Sequence, residues 1–142
     1  MLIKLFRLAS FFFRMAASSD GKNERNFLQL YRLVLASPRV LRALFDSYVP
    51  TFNTWPPSDK NLKKAKLSEK QIHHMKQDPK SDNFDISLLI SLLRHFCYKA
   101  DTHNPLWYET DNQNILHETG DIADIVRIRN LRNMVSTTCN LS

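Results

Sequence analysis

The chain has 142 residues, with 20 Lys and Arg against 14 Asp and Glu, which gives a formal net charge of +6. The hydrophobic fraction of 43% and the charged fraction of 24% are typical of a globular protein and exclude wholesale disorder. The two glycines, Gly21 and Gly120, are too few for a sheet of tight hairpins and too far apart for a glycine-rich phosphate loop. Composition therefore predicts one basic, α-helical domain.

Cysteine usage favours an intracellular protein. Cys97 and Cys139 stand alone and form no CxxC pair, which excludes a zinc ribbon and a thioredoxin-type site. Two free thiols are favoured over a disulfide because secreted frameworks are usually denser in cysteine. We therefore expect a cytoplasmic location.

The first 17 residues differ in character from the rest. They contain three basic residues and no acidic one: Lys4, Arg7 and Arg14. The uncharged run 8–13 is too short to span a bilayer, so we predict no transmembrane segment there. The pattern suits a basic amphipathic helix, and a mitochondrial location is the alternative if residues 1–17 act as a transit peptide.

Residues 1–22 are therefore interpreted as a basic leader that is disordered or dispensable, and residues 23–142 as the folded domain. Met15 begins a polar lead-in, so it is an alternative start to Met1.

Two helices are predicted before the first proline-rich loop. Apolar residues recur at helical spacing over 24–36 and again over 38–48. Ser37 is a suitable N-cap and Pro38 suits a first turn, which predicts a helical hairpin with almost no loop. Three prolines exclude a helix over 50–57.

The next helices are predicted from a capping motif and from a long apolar run. Ser68 with Gln71 three residues later forms a capping box, and that helix should end near Gln77. Residues 84–98 are apolar nearly all round, which is typical of the most buried helix.

A long connection, 99–120, precedes the last helix. Trp107 and Tyr108 are expected to anchor it, as Phe52 and Trp55 are expected to anchor the earlier loop. Asp121 is the predicted N-cap of the final helix.

In this order the segments resemble the HEPN-like domain of the DAZ-interacting zinc-finger ubiquitin ligase group. The pieces are NFLQLYRLVL, VLRALFDSYVP, LSEKQIHHM, FDISLLISLLRHFC, a Trp-bearing loop and DIADIVRIRNLRN. The resemblance implies an all-α, HEPN-like bundle of about five helices with a long loop before the last one. It also implies a homodimer or a complex with another HEPN-bearing protein, and a further helix beyond Ser142, so that the domain is C-terminally short.

Active HEPN domains are metal-independent ribonucleases, and the resemblance implies where their motif would lie. An Arg followed by a polar residue holds the phosphate, and a His roughly four to six residues further on moves the proton of the 2′-hydroxyl. Arg132 and Asn133 match the first half of this motif, but no His follows in register after Arg132, Arg129 or Arg127. The nuclease site is therefore predicted to be degenerate, with Arg132, Asn133 and His95 as weak catalytic candidates.

The remaining histidines are scattered, no HExxH occurs, and we expect neither a metal nor a cofactor. The chain also holds no RING-type ligand set, so ubiquitin transfer could come only from a partner.

Two basic segments are candidates for RNA binding. The first contains Lys60, Lys63, Lys64 and Lys66. The second is predicted to lie on the surface of the last helix and contains Arg127, Arg129 and Arg132. Each could contact phosphates; the alternatives are a solvated lysine face and pairing of the arginines with Asp121 and Asp124.

Three functions fit the sequence. The first is a non-catalytic HEPN-like module for protein association and RNA binding. The second is a metal-independent endoribonuclease that uses a His supplied by a partner chain or by His95. The third is a helical scaffold fragment with no nucleic-acid role.

Overall fold

The computed structural model describes residues 24–140, and it describes the side chains of residues 36–134. The predicted leader, residues 1–22, lies outside the described residues. Five α-helices occur in this part of the chain: α1 Glu24–Tyr48, α2 Asp59–Lys64, α3 Glu69–Gln77, α4 Ile86–Leu92 and α5 Asp121–Asn140. Residues 24–140 contain no strand, so the all-α prediction is confirmed. None of these helices is both long and apolar enough to cross a membrane.

Helix α1 is continuous, and the prediction of two helices separated at Ser37 and Pro38 is wrong. Pro38 lies inside Glu24–Tyr48. The apolar spacing explains the continuity, because Pro38, Leu41 and Phe45 follow one another at intervals of three and four and so share one helical face. Leu41 and Phe45 are buried, so packing of this face stabilises the turns that follow the proline.

The described residues divide into two compact units, one formed by Leu41–Thr102 and the other by residues 24–40 and 103–140. In the unit Leu41–Thr102, Phe45 is the centre of an aromatic cluster. Its ring centroid lies 5.2 Å from that of Trp55, 6.0 Å from that of Phe84 and 6.3 Å from that of Phe52. The Trp55 indole also donates to the Pro79 carbonyl at 3.1 Å. The expectation that Phe52 and Trp55 anchor their loop is confirmed.

Helices α2 and α3 are separated by a short non-helical stretch, residues 65–68. Lys66 adopts φ +60°, a left-handed conformation that breaks the helical path for an L-residue. The predicted capping box then starts α3: the Gln71 backbone N–H donates to the Ser68 hydroxyl at 3.1 Å, and the Ser68 N–H donates to the Gln71 side chain at 3.0 Å. The end of α3 at Gln77 is also as predicted.

Helix α4 is nearly all buried, as its apolar composition predicts. Five of its seven residues are buried: Ile86, Leu88, Leu89, Ile90 and Leu92. Asp85 caps it by accepting from the Leu88 N–H at 2.8 Å. The predicted helix 84–98 ends differently, because one π-helical turn, Leu93–Cys97, follows α4 and carries His95.

The unit that contains α5 also contains residues 103–120, which fold into short 3₁₀ turns. Trp107 in the turn Pro105–Tyr108 is 2% exposed, so its predicted anchoring role is confirmed. The same prediction for Tyr108 is wrong, because its side chain is 63% exposed. Asp121 was predicted to be the N-cap of α5, but it is the first residue of the helix. The residue before it is Gly120, whose φ of +104° suits glycine.

Candidate functional site

Arg127 is buried, and the prediction that it lies on the surface is wrong. Its side chain is 1% exposed and its Nη1 lies 2.8 Å from Oδ1 of Asp124, which is also buried. Its Nη2 donates to the backbone carbonyls of Ile115 and Glu118. A guanidinium has five N–H donors, so one side chain satisfies a buried carboxylate and two loop carbonyls. This is the pairing with Asp124 that the sequence left open.

Arg129 is held by the same loop. Its Nη1 donates to the Trp107 carbonyl and its Nη2 donates to the Glu109 carbonyl, each at 2.6 Å. Asn130 binds the same loop, because its amide donates to the Glu109 carbonyl at 3.1 Å and to Oδ1 of Asn112 at 3.0 Å. We call the contacts of Arg127, Arg129 and Asn130 with this loop the latch. The two arginines therefore fasten residues 107–118 to α5 through four hydrogen bonds to backbone carbonyls.

The loop that these arginines hold also has internal bonds. The carboxylate of Glu109 accepts from the Asn114 amide at 3.1 Å and from the Asp111 N–H at 3.0 Å. These hydrogen bonds, that from Asn114 first, lower the pKa of Glu109 below its usual value. The loop is thus fixed both by α5 and by its own side chains.

Arg132 and Asn133 lie further along α5 and differ from the two latch arginines. Arg132 is partly exposed and Asn133 is exposed. Helix α5 contains no histidine at any position. His95 is half-buried in the π-helical turn, which belongs to the unit Leu41–Thr102.

The predicted lysine segment is exposed throughout. Lys60, Lys63 and Lys64 lie on α2, which buries Leu62. The acid of this helix, Asp59, forms an ion pair with Lys76 of α3. Lys63 and Lys64 occupy the last turn, where positive charge also favours the helix dipole. We call these three residues the α2 lysines: Lys60, Lys63 and Lys64.

The break at Lys66 separates the α2 lysines from the basic residues of α3. Lys70 lies on α3, so it does not share a helix with the α2 lysines. Within the described residues, no group of three or more His, Cys, Asp or Glu side chains could hold a metal ion.

Comparison with family profiles matches residues 51–141 to the DZIP3/hRUL138-like HEPN family. The chain belongs to this HEPN family. The match covers the segments from the first proline-rich loop to α5, so the resemblance noted for these segments is confirmed. Neither the curated proteins nor the solved structures include a significant match to this HEPN chain.

The HEPN chain has a cavity that sequence reasoning missed. It has a volume of about 510 Å³ and lies within the unit Leu41–Thr102. We call it the aromatic cavity; its lining is Tyr48, Thr51, Phe52, Asn53, Thr54, Pro57, Ser58, Asn61, Phe96, Cys97 and Lys99. The signal in the sequence was weak, because these residues come from two stretches, 48–61 and 96–99, that are far apart in the chain.

Cys97 is one of the lining residues. Burial raises the pKa of Cys97 to about 12, so the group is a neutral thiol at physiological pH. A second cavity of about 390 Å³ in the same unit is lined in part by Asp46, Lys80 and Asp82. The two cavities therefore differ in charge, since the aromatic cavity has Lys99 and no carboxylate among its lining residues.

Proposed function

We propose that this HEPN chain is a non-catalytic module that associates with other proteins and binds RNA. The observation that carries the proposal is that no histidine follows Arg127, Arg129 or Arg132 in the motif register. Ribonuclease chemistry needs a group that titrates near neutrality, and a threonine hydroxyl at Thr137 or Thr138 is not such a group.

The latch supports the same proposal. Arg127 and Arg129 donate to carbonyls of residues 107–118, so two of the three cations of the predicted strip are engaged in holding the fold. Arg132, partly exposed, is the arginine of this strip best suited to contact a ligand.

Protein association is proposed with a second copy or with another HEPN-bearing protein. The contact is proposed on α5, where Met134 is 51% exposed two residues after Arg132. Sedimentation of the full chain tests this. We expect a dimer that Met134→Lys weakens and Met134→Leu preserves; a monomer at all concentrations would favour a different partner over self-association.

RNA binding is proposed through the α2 lysines. They are exposed, and the neighbouring Asp59 is neutralised by Lys76. Each phosphate contact should add about 0.7 to the slope of log affinity against log salt for a single strand. Loss of two contacts should therefore lower the slope by about 1.4.

The test is an anisotropy titration of a labelled single-stranded RNA with the full chain at several salt concentrations. The double variant Lys63→Gln, Lys64→Gln should show the lower slope. The matched control, Lys70→Gln with Lys80→Gln, removes the same charge from exposed positions and should keep the wild-type slope.

The same samples test for catalysis on a gel. We expect intact RNA. Cleavage that Arg132→Ala abolishes would instead establish the endoribonuclease that takes its histidine from a partner chain or from His95. Absence of binding at every salt concentration would favour the helical scaffold with no nucleic-acid role.

The proposal includes a cytoplasmic location and residues 23–142 as the functional domain. The sparse cysteines, Cys97 and Cys139, support the location because such thiols suit a reducing compartment. A tagged chain imaged with and without residues 1–17 tests it: retention in the cytoplasm by both would support it, and mitochondrial targeting by the longer form would contradict it.

A further inference from the structure

We propose that the aromatic cavity binds a single nucleotide unit, with the base against its aromatic rings and the phosphate at Lys99. The inference deepens the RNA-binding part of the proposed function and names a second contact besides the α2 lysines. The unit would be supplied by single-stranded RNA or by a free mononucleotide, and the experiments below distinguish the two. The volume of about 510 Å³ lies in the range of small-ligand sites, roughly 300–1,000 Å³.

Two of the rings that line the cavity, those of Tyr48 and Phe52, pack against other aromatic rings. Phe52 stacks on Trp55 with centroids 5.6 Å apart and an interplanar angle of 29°. Tyr48 meets Tyr98 edge to face, with centroids 5.5 Å apart. Tyr48 and Phe52 are only partly buried, so each retains ring surface for a ligand. Rings held in this way offer stacking surface at low entropic cost, as single-strand binding proteins use it.

Polar side chains border the rings. Asn53 and Asn61 are exposed residues of the lining, and each amide can both donate and accept. The edges of nucleobases present the same mixture of donors and acceptors. Ser58, the N-cap of α2, adds a hydroxyl that accepts from the Asn61 N–H at 3.4 Å. The lining therefore combines a stacking surface with groups suited to a base edge.

The charge of the cavity selects an anion. Lys99 is the charged residue of the lining, and the Cys97 thiol is neutral. Lys64 lies three residues after Asn61 on α2 and therefore places a positive charge on the same side of that helix. The second cavity differs in this respect, because Asp46 and Asp82 are among its lining residues and would repel a phosphate. An acidic, aromatic ligand fits the aromatic cavity, and a nucleotide unit is such a ligand.

The first test compares two lysines, each of which lines a cavity of the same unit. Both Lys99 and Lys80 are exposed, so Lys99→Gln and Lys80→Gln remove equal charge from comparable positions. In the anisotropy titration with single-stranded RNA, Lys99→Gln should lower the salt slope by about 0.7 and Lys80→Gln should leave it unchanged. A lysine that acted only through folding would not change the slope in this selective way.

The second test uses nuclear magnetic resonance of the full chain, because the side-chain amides of Asn53 and Asn61 report the cavity directly. Their signals should shift on addition of the RNA or of AMP. The variant Asn53→Ala, at an exposed position, should reduce discrimination among the four mononucleotides or among homopolymer RNAs. Circular dichroism of each variant verifies that it is folded.

The outcomes separate this inference from the proposed function. Amide shifts with RNA and a lower slope for Lys99→Gln support the cavity as an RNA site, and shifts with AMP alone support it as a mononucleotide site. A different result would overturn the cavity proposal and leave the α2 site standing. In that result the α2 variant lowers the salt slope, Lys99→Gln behaves as Lys80→Gln, and the Asn53 and Asn61 amide signals do not shift. Absence of every effect overturns both.

Discussion

Replacement of Arg127 by methionine tests the most consequential contact of the structure. The substitution keeps an unbranched side chain of similar length, but it leaves the buried carboxylate of Asp124 without its cation. The carbonyls of Ile115 and Glu118 lose a donor at the same time. Removal of one partner from a buried ion pair typically costs about 3–5 kcal/mol, and unsatisfied buried carbonyls add to such a penalty.

The free energy of unfolding, measured by urea denaturation, should therefore fall by about 3–5 kcal/mol for Arg127→Met. The control is Arg132→Met on the same helix, where the side chain is partly exposed and the expected loss is under about 0.5 kcal/mol. The double variant Asp124→Leu, Arg127→Met should recover part of the loss, since an apolar pair needs no compensating charge.

Equal stabilities for Arg127→Met and Arg132→Met would refute the structural role assigned to Arg127. RNA binding gives an independent readout. If Arg127 is a latch and not a phosphate ligand, the folded fraction of Arg127→Lys should bind RNA with the wild-type salt slope, even though lysine cannot reproduce the three-way contact.

Three further predictions follow from local contacts. Ser68→Ala removes the hydroxyl half of the capping box and should cost about 1 kcal/mol in urea denaturation, whereas Ser68→Asp should retain most of the stability; a neutral alanine variant would contradict the role of the cap. Because hydrogen bonds from Asn114 and Asp111 lower the pKa of Glu109, its contribution to stability is present above the ordinary glutamate pKa and is lost as pH falls towards the lower folded value. The free energy of unfolding, measured across acidic pH, should therefore depend less steeply on pH for Glu109→Gln than for the wild type. Parallel curves for the two proteins would contradict this role of Glu109. With its pKa raised to about 12, Cys97 should react with iodoacetamide at pH 8 far more slowly than it does in the urea-unfolded chain; equal rates by mass spectrometry would show that its thiol is not shielded.

The latch changes how the arginines of α5 are interpreted. Two of them, Arg127 and Arg129, are spaced along the helix like cations of a binding strip, yet their donors reach carbonyls of the preceding loop. The helix that carries Arg132 and Asn133 therefore also holds that loop in place. A substitution of Arg127 or Arg129 would act directly on the loop, and on ligand binding only through the loop.

Local features were predictable because their causes lie within a few residues. The Ser68–Gln71 capping box depends on groups three positions apart, and the burial of α4 depends on an apolar run that no polar face interrupts. Trp107 was predicted as an anchor for a similar reason, since a large ring in a polar loop is most stable when buried. The family assignment also rests on the order of such segments along the chain.

The sequence by itself determined the all-α class, the caps and the lack of a motif histidine on α5. Tertiary structure alone decided that the helix runs through Pro38, that Arg127 is buried and that residues 48–61 and 96–99 together line the aromatic cavity. The physical reason is the range of the interactions. Helical periodicity and capping act over three or four residues, whereas burial of a charge depends on carbonyls brought close by a loop 9 to 12 residues away in the chain.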